Sequence, residues 1–187
     1  MLSILCDERY FDGGYEHLAQ ARAAVGLPLL CKEFVIDEVQ LDLARAYGAD
    51  AVLLIVRCLS TARTAELVRA ARARELVPFV EVASEPEVQV ALDAGADLIG
   101  INARDLDSLA MDAERAARVL AAIPAGVVRV HLSGLARPDD VARIRRSGAD
   151  AALVGEALMR QDDPEPLLRQ LTAAALAGDL ASGPANL

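Results

Sequence analysis

Lys32 and Glu81 are charged residues at positions where the surrounding sequence is apolar. Lys32 ends the apolar run 28–31, and Glu81 lies within the apolar run 78–82. An ammonium group partly removed from water can donate a proton or bind an anion. A carboxylate in a buried run is costly unless it is paired, which indicates a base or a partner for a lysine. The alternatives are a surface lysine paired with Glu33 and a buried ion pair with a structural role.

Polar residues also follow three other apolar runs. Asn102 and Arg104 place an amide and a guanidinium where a polar substrate could be oriented and an anion neutralised. The pairs Ser133-Gly134 and Gly155-Glu156 contain glycines that let backbone N–H groups approach a phosphate. The alternative for Arg104 is a loop ordered by an Arg104–Asp105 network, and the alternative for the two glycine pairs is a pair of ordinary turns.

These residues belong to a repeating pattern of secondary structure. Short apolar runs of strand length alternate seven times with amphipathic stretches of helical length, which is typical of βα units and a parallel sheet. The predicted strands are 2–6, 28–32, 51–56, 78–82, 98–102, 127–132 and 151–155, and the predicted helices are 15–25, 37–47, 62–75, 85–94, 111–122, 138–147 and 164–175. We expect one domain over residues 1–176 and a flexible tail over 177–187.

The polar residues also decide between two architectures, an open doubly wound sheet and a closed barrel. They lie at the carboxyl ends of the predicted strands, which converge on one mouth in a barrel and spread along a crevice in an open sheet. We therefore predict an α/β fold of the (β/α)8 TIM-barrel type, truncated to seven recognisable βα units.

Helix boundaries are marked in the sequence. Asp37, Ser84 and Pro138 are predicted helix starts. Three Gly-Ala-Asp tripeptides, at residues 48–50, 95–97 and 148–150, each precede an apolar run. They predict helix-to-strand joints without chemistry, because glycine suits the left-handed position after a helix.

Composition excludes several kinds of partner. The 187 residues are 54% hydrophobic but only 3% aromatic, which favours an aliphatic core over base stacking. A net charge of −9 opposes binding to nucleic acid or to an anionic membrane surface. No apolar run is long enough to span a bilayer, and the amino terminus lacks the basic region of a signal peptide. We expect a cytoplasmic protein.

The cysteines and histidines do not indicate a metal site. Cys6, Cys31 and Cys58 lack metal-ligand spacing and are interpreted as small buried residues. His17 is predicted on a helix surface, and His131 is predicted on a strand facing the helices.

Several segments, in order, resemble the indole-3-glycerol phosphate synthase family over residues 2–171. Residues 3–14, 29–37 with Gln40, and 101–106 resemble the second, third and sixth strands of that family with their loops, and 133–134 and 154–160 resemble its phosphate loops. The resemblance implies a barrel enzyme without a cofactor. It would close the anionic sugar phosphate 1-(2-carboxyphenylamino)-1-deoxyribulose 5-phosphate to an indole ring, with loss of carbon dioxide and water.

The resemblance also implies a role for each site residue. Lys32, Glu81 and Asn102 form the implied catalytic set, in which Lys32 protonates the substrate carbonyl and Glu81 assists later proton transfers. The implied binding residues are Arg104 and Asn102, which orient the substrate, Phe34 and Leu106, which line the aryl pocket, and Ser133, Gly134, Gly155 and Glu156, which bound the phosphate site.

Two departures from the family pattern leave other functions open. The family begins with a helix and a first strand that carry a glutamate and a second essential lysine, and it has a glutamate where this chain has Leu132. We therefore expect the isolated chain to lack unaided activity. The alternatives are a non-catalytic phosphate-binding relative, a homo-oligomer or partner chain whose strand completes the barrel, and a true start upstream of Met1.

Overall fold

A computed structural model describes residues 1–104 and 110–177. Over this part of the chain, seven parallel strands form one sheet in the order of the sequence. The strands are β1 (Leu2–Leu5), β2 (Leu29–Lys32), β3 (Ala51–Ile55), β4 (Val77–Val82), β5 (Leu98–Asn102), β6 (Val128–Leu132) and β7 (Ala151–Leu153). All seven predicted strands are confirmed, and their ends differ from the prediction by at most two residues.

The described residues also form nine α-helices and one 3₁₀ turn, Val56–Cys58. The helices are α1 (Glu8–Phe11), α2 (Tyr15–Ala24), α3 (Glu38–Ala46), α4 (Thr61–Ala73), α5 (Glu85–Asp93), α6 (Ala113–Ala122), α7 (Pro138–Arg146), α8 (Glu156–Met159) and α9 (Glu165–Leu176). The seven predicted helices are confirmed. The sequence pattern missed α1, α8 and the 3₁₀ turn, because elements of three or four residues are too short to show a hydrophobic period.

Each face of the sheet has its own hydrophobic core. The inner core contains residues that alternate along the strands, such as Leu53 and Phe79, which are paired in register between β3 and β4. The outer core contains the residues between them, such as Val52 and Val80, packed against the helices. The predicted TIM-barrel type of fold, truncated to seven units, is confirmed as a curled half-barrel of seven parallel βα units.

The sheet is buried at its centre and exposed at its edges. All five residues of β3 are buried. In edge strand β1, Leu2 and Leu5 are 39% and 41% exposed, and Ala151 and Ala152 of edge strand β7 are also exposed. Both edges therefore present apolar side chains to solvent.

The Gly-Ala-Asp joints have the predicted structural role. Gly48, Gly95 and Gly148 are left-handed, with φ of 95°, 83° and 95°. The aspartates at 50 and 150 then accept hydrogen bonds from the backbone N–H groups of Leu29 and Arg129, at the start of the adjoining strand segments. All three joints thus end a helix, and the joints at 48–50 and 148–150 also anchor the neighbouring strand.

The prediction of three buried cysteines was wrong for one of them. Cys6 and Cys31 are buried, whereas Cys58 is exposed. The chain turns into the 3₁₀ helix directly after β3, so the alternation of the strand does not extend to Cys58.

His17 is exposed on α2, as predicted. No helix within 1–104 or 110–177 has the length and apolarity needed to cross a membrane.

Candidate active site

Lys32 and Glu81 meet at the carboxyl ends of the strands. Lys32 is the last residue of β2, and Glu81 is the second-last residue of β4. The Lys32 Nζ lies 4.0 Å from the Glu81 Oε2, and the two side chains are 22% and 4% exposed. At this separation the charges attract without a short hydrogen bond, so each group keeps bonding capacity for a ligand. Lys32 is also the only lysine in the sequence.

Asn102 fixes the carboxylate of Glu81. Its Nδ2 donates a hydrogen bond of 2.8 Å to the Glu81 Oε1, while its Oδ1 accepts one of 3.0 Å from the backbone N–H of Arg104. Both Glu81 and Asn102 are buried. The amide therefore orients one carboxylate oxygen and leaves the other facing the lysine. We call Lys32, Glu81 and Asn102 the acid–base cluster.

Glu33, the alternative partner of Lys32, has a different environment. It is buried, and its Oε1 accepts a hydrogen bond of 2.7 Å from the backbone N–H of Phe34. Burial raises the pKa of the Glu33 carboxyl, and the hydrogen bond from Phe34 opposes that rise. Lys32 forms its ion pair with Glu81 instead.

Three aromatic side chains, Tyr10, Phe11 and Phe34, lie next to Lys32, and we call them the aromatic wall. Phe34 stacks on Phe11 with ring centroids 5.3 Å apart, and Tyr10 meets Phe34 edge-on at 5.4 Å. The Lys32 Nζ lies 5.4 Å from the centre of the Phe11 ring, within the range of a cation–π contact. Sequence reasoning selected Phe34 but missed Phe11 and Tyr10. The signal was available, because Phe11 is one of only three phenylalanines in the chain and follows closely after β1.

The floor below the acid–base cluster is apolar. Gly100 pairs with Glu81 in register, and a Cβ atom on Gly100 would lie 2.8 Å from the Leu132 Cδ1 and 2.9 Å from the Phe79 Cζ. Leu132 is 3% exposed and belongs to the inner core. Leu132 is therefore a packed wall residue at the position where the resemblance places a glutamate. Gly100 is a second position that sequence reasoning missed.

The other predicted residues that the structure describes lie on the β5–β7 side of the same rim. The Arg104 Nη2 lies 3.2 Å from the Glu156 Oε2, which joins the loop after β5 to the start of α8. Arg160 binds the other oxygen of Glu156 at 2.8 Å. We call Arg104, Ser133, Gly134, Gly155 and Glu156 the anion rim.

The two glycine turns of the anion rim differ in geometry. Ser133 and Gly134 are both left-handed, with φ of 68° and 72°, and the Met111 Cε fills the position of a Cβ on Gly134. A left-handed serine is strained, and such residues cluster at functional sites. Gly155 has φ of −129°, and no heavy atom lies within 4 Å of the position of a Cβ there. Leu106, the predicted second residue of the aryl pocket, lies outside the described residues.

His131 lies on the face of the sheet opposite to the acid–base cluster. His131 lies on β6 between the inner-core residues Val130 and Leu132, so it faces the helices, as predicted. Burial lowers the pKa of His131 from 6.5, and a hydrogen bond with the Ser133 backbone opposes that fall. Residues 1–104 and 110–177 contain no group of three or more histidine, cysteine or acidic side chains that could hold a metal.

The fold and the rim together define a protein of the (β/α)-barrel class, in which sites lie at the carboxyl ends of the strands. A family model described as indole-3-glycerol phosphate synthase matches residues 1–171. The chain belongs to the indole-3-glycerol phosphate synthase family, and the resemblance inferred from the sequence is confirmed.

Individual relatives agree with this assignment. Indole-3-glycerol phosphate synthase 2 of Streptomyces coelicolor is 47% identical over 170 residues, which are 91% of this chain and 66% of that protein. Indole-3-glycerol phosphate synthase of an Exiguobacterium species is 44% identical over 176 residues, which are 94% of this chain and 69% of that protein. The chain thus spans about two thirds of the length of these relatives.

Solved structures support the fold. A crystal structure of 3-hexulose-6-phosphate synthase has a TM-score of 0.77 at 18% identity, covering 92% of this chain and 86% of that chain. The enzyme of the same name from Salmonella typhimurium has a TM-score of 0.75 at 16% identity, with coverages of 94% and 86%. At these identities the similarity concerns the architecture alone.

Proposed function

We propose that this chain carries the active site of an indole-3-glycerol phosphate synthase. In this proposal, 1-(2-carboxyphenylamino)-1-deoxyribulose 5-phosphate binds at the carboxyl-terminal rim and is closed to indole-3-glycerol phosphate, with loss of carbon dioxide and water. The observation that carries the proposal is the acid–base cluster, in which a lysine faces a buried carboxylate that an amide holds in place. This reaction class is a carbon–carbon lyase, and it needs no cofactor.

The chemistry follows from the two charges. Lys32 donates a proton to the substrate carbonyl oxygen, which makes the carbonyl carbon a better electrophile for ring closure. Glu81 accepts and returns protons in the later steps and keeps the ammonium of Lys32 in position across 4.0 Å. Positioned proton transfer of this kind is worth about 10²–10⁴-fold in rate. Asn102 contributes by holding Glu81 in the orientation that faces Lys32.

The rest of the rim fits the two ends of this substrate. The aryl group would lie against the aromatic wall, which includes Phe34, beside Lys32. The phosphate would lie at the anion rim, where Arg104 supplies a positive charge and the turns at Ser133-Gly134 and Gly155 supply backbone N–H groups. A cytoplasmic location and a single domain over residues 1–176 belong to the same proposal.

The substitution Lys32→Ala tests the assignment. In the assembly whose sheet is completed by a further strand, we expect turnover of the carboxyphenylamino substrate to fall about 10²–10⁴-fold, because the proton donor is removed. Arg118→Ala is the matched control, since Arg118 is an exposed cation paired with Glu85 on the helical layer. Turnover of the control should stay within about two-fold of the unmodified chain. Equal turnover in the Lys32→Ala variant would overturn the proposal.

A non-catalytic phosphate-binding relative is the second candidate, and Leu132 is the observation that favours it. An apolar, 3% exposed side chain occupies the position where the resemblance places a glutamate. This candidate predicts binding of the sugar phosphate without turnover. It also predicts that Lys32→Ala lowers the affinity only modestly, whereas Arg104→Gln lowers it strongly.

We also propose that another polypeptide, either a second copy of this chain or a partner chain, supplies a strand that completes the sheet. The exposed apolar residues of β1 and β7 support this, because unpaired edges of this kind favour association. Size-exclusion chromatography with light scattering tests it. An assembly larger than 19.8 kDa is expected, and a stable monomer at all concentrations would argue against it.

A further inference from the structure

Glu156 holds two arginines at the part of the rim that is proposed to receive the phosphate. Its Oε2 lies 3.2 Å from the Arg104 Nη2, and its Oε1 lies 2.8 Å from the Arg160 Nη2. Arg160 directly follows α8, the helix that begins with Glu156, but Arg104 comes from the loop after β5. Because β6 lies between β5 and β7, the Arg104–Glu156 contact spans the end of β6, where Ser133 and Gly134 form their turn.

These ion pairs are accessible to solvent. The side chains of Arg104, Glu156 and Arg160 are 36%, 62% and 75% exposed. Exposed ion pairs contribute little free energy, because water and salt screen them and two long side chains must be ordered. A ligand anion can therefore exchange for Glu156 at low cost.

The charges favour such an exchange. A guanidinium binds the oxygens of a phosphate in a two-point geometry at least as well as those of a carboxylate. A phosphate monoester carries nearly two negative charges at neutral pH, whereas Glu156 carries one. Without the exchange, a bound phosphate would lie beside an unreleased carboxylate and be repelled by it.

We propose that Glu156 is a displaceable counter-ion of Arg104, which leaves Arg104 when the substrate phosphate arrives and stays bound to Arg160. This inference rests on the proposed function and deepens it, because it assigns a role to Glu156 at the phosphate end of the substrate. Glu156 then acts as a specificity residue. A doubly charged phosphate displaces it, and a singly charged anion competes less well.

Binding of inorganic phosphate, measured by isothermal titration calorimetry, tests the proposal in the full chain. Glu156→Gln should tighten phosphate binding about 2- to 5-fold, the range expected when an exposed ion pair no longer competes. Arg104→Gln should weaken binding, and adding Glu156→Gln to it should give no gain. Glu165→Gln is the matched control, because it removes the same charge from an exposed pair with Arg169 on α9 and should leave the affinity unchanged.

Each other outcome is decisive. If Glu156→Gln has no effect, or if its gain persists without Arg104, the inference is overturned while the proposed function stands. If none of the five proteins binds phosphate, the inference is also overturned, and the dependence of turnover on Lys32 decides the proposed function separately. Phosphate that binds more weakly than acetate in the unmodified chain would contradict the specificity role.

Discussion

The acid–base cluster and the anion rim lie at the same end of one sheet, yet they are built in opposite ways. Glu81 and Asn102 are buried and share a hydrogen bond of 2.8 Å, whereas Arg104 and Glu156 form a solvent-exposed ion pair. The difference follows from position in the sheet. Strands β4 and β5 have neighbours on both sides, but β7 is an edge strand of three residues.

This comparison separates two tasks of a site. Buried polar groups cost free energy unless they are paired, so the hydrogen bond between Asn102 and Glu81 holds the carboxylate in place before a ligand arrives, which suits a group that stabilises charge in a transition state. Exposed ion pairs are weak and can rearrange around a ligand. The acid–base cluster is therefore suited to chemistry, and the anion rim is suited to capture. The predictions below test this division, beginning with the largest expected effect.

In the assembly whose sheet is completed by a further strand, Glu81→Gln should reduce turnover about 10²-fold or more, because an amide cannot accept the proton that the carboxylate accepts. The variant should still fold, since the Gln Oε1 can accept the hydrogen bond from Asn102. Glu85→Gln is the matched control, because Glu85 is an exposed glutamate paired with Arg118. Steady-state kinetics measure the turnover of both variants. A similar loss of turnover in both would contradict a special role of the buried acid–base cluster.

Gly100→Ala and Gly155→Ala compare the packing of the two regions. The first places a Cβ 2.8 Å from the Leu132 Cδ1 in the inner core, so we expect a loss of about 1–3 kcal/mol in the free energy of unfolding. The second places a Cβ in open space, so its effect should stay within about 0.5 kcal/mol. Urea denaturation measures both. Equal losses would show that the anion rim is packed as tightly as the acid–base cluster.

His131 gives a smaller effect that depends on pH. Its pKa is lowered from 6.5 in the folded chain, mainly by burial, so the unfolded chain binds the proton more readily. The stability contributed by the neutral imidazole is therefore present above pH 6.5 and is lost as the pH falls below it. His131→Gln should flatten this dependence in denaturation curves between about pH 7 and 5. His17→Gln, a change of the exposed histidine, should leave the slope as it was.

The sequence was sufficient to predict the order of the elements and the placement of the site at the carboxyl ends of the strands. Alternating apolar runs and the Gly-Ala-Asp joints located each strand, because burial and backbone conformation act locally. The pairing of Lys32 with Glu81 across the intervening strand β3 could not be derived in this way, since it depends on the register and curl of the sheet.

The features that were missed share a cause. The aromatic wall of Phe11 and Tyr10 depends on α1, a single turn that is fixed by a hydrogen bond from the Tyr10 backbone to the Asp7 carboxylate. The exposure of Cys58 likewise depends on a 3₁₀ turn. Both are set by local hydrogen bonds and tertiary contacts rather than by a hydrophobic period. The role of Gly100 required knowing that Phe79 and Leu132 approach it from two neighbouring strands.

The central claim is that Lys32 and Glu81 act together on a ligand bound between the aromatic wall and the anion rim. Because Lys32 is the only lysine, ¹³C-methylation of amines gives one side-chain signal besides that of the amino terminus. We predict that the NMR chemical shift of this signal differs between the unmodified chain and Glu81→Gln, and that it moves when indole-3-glycerol phosphate is added. A Lys32 signal that is identical in all three samples would contradict the account.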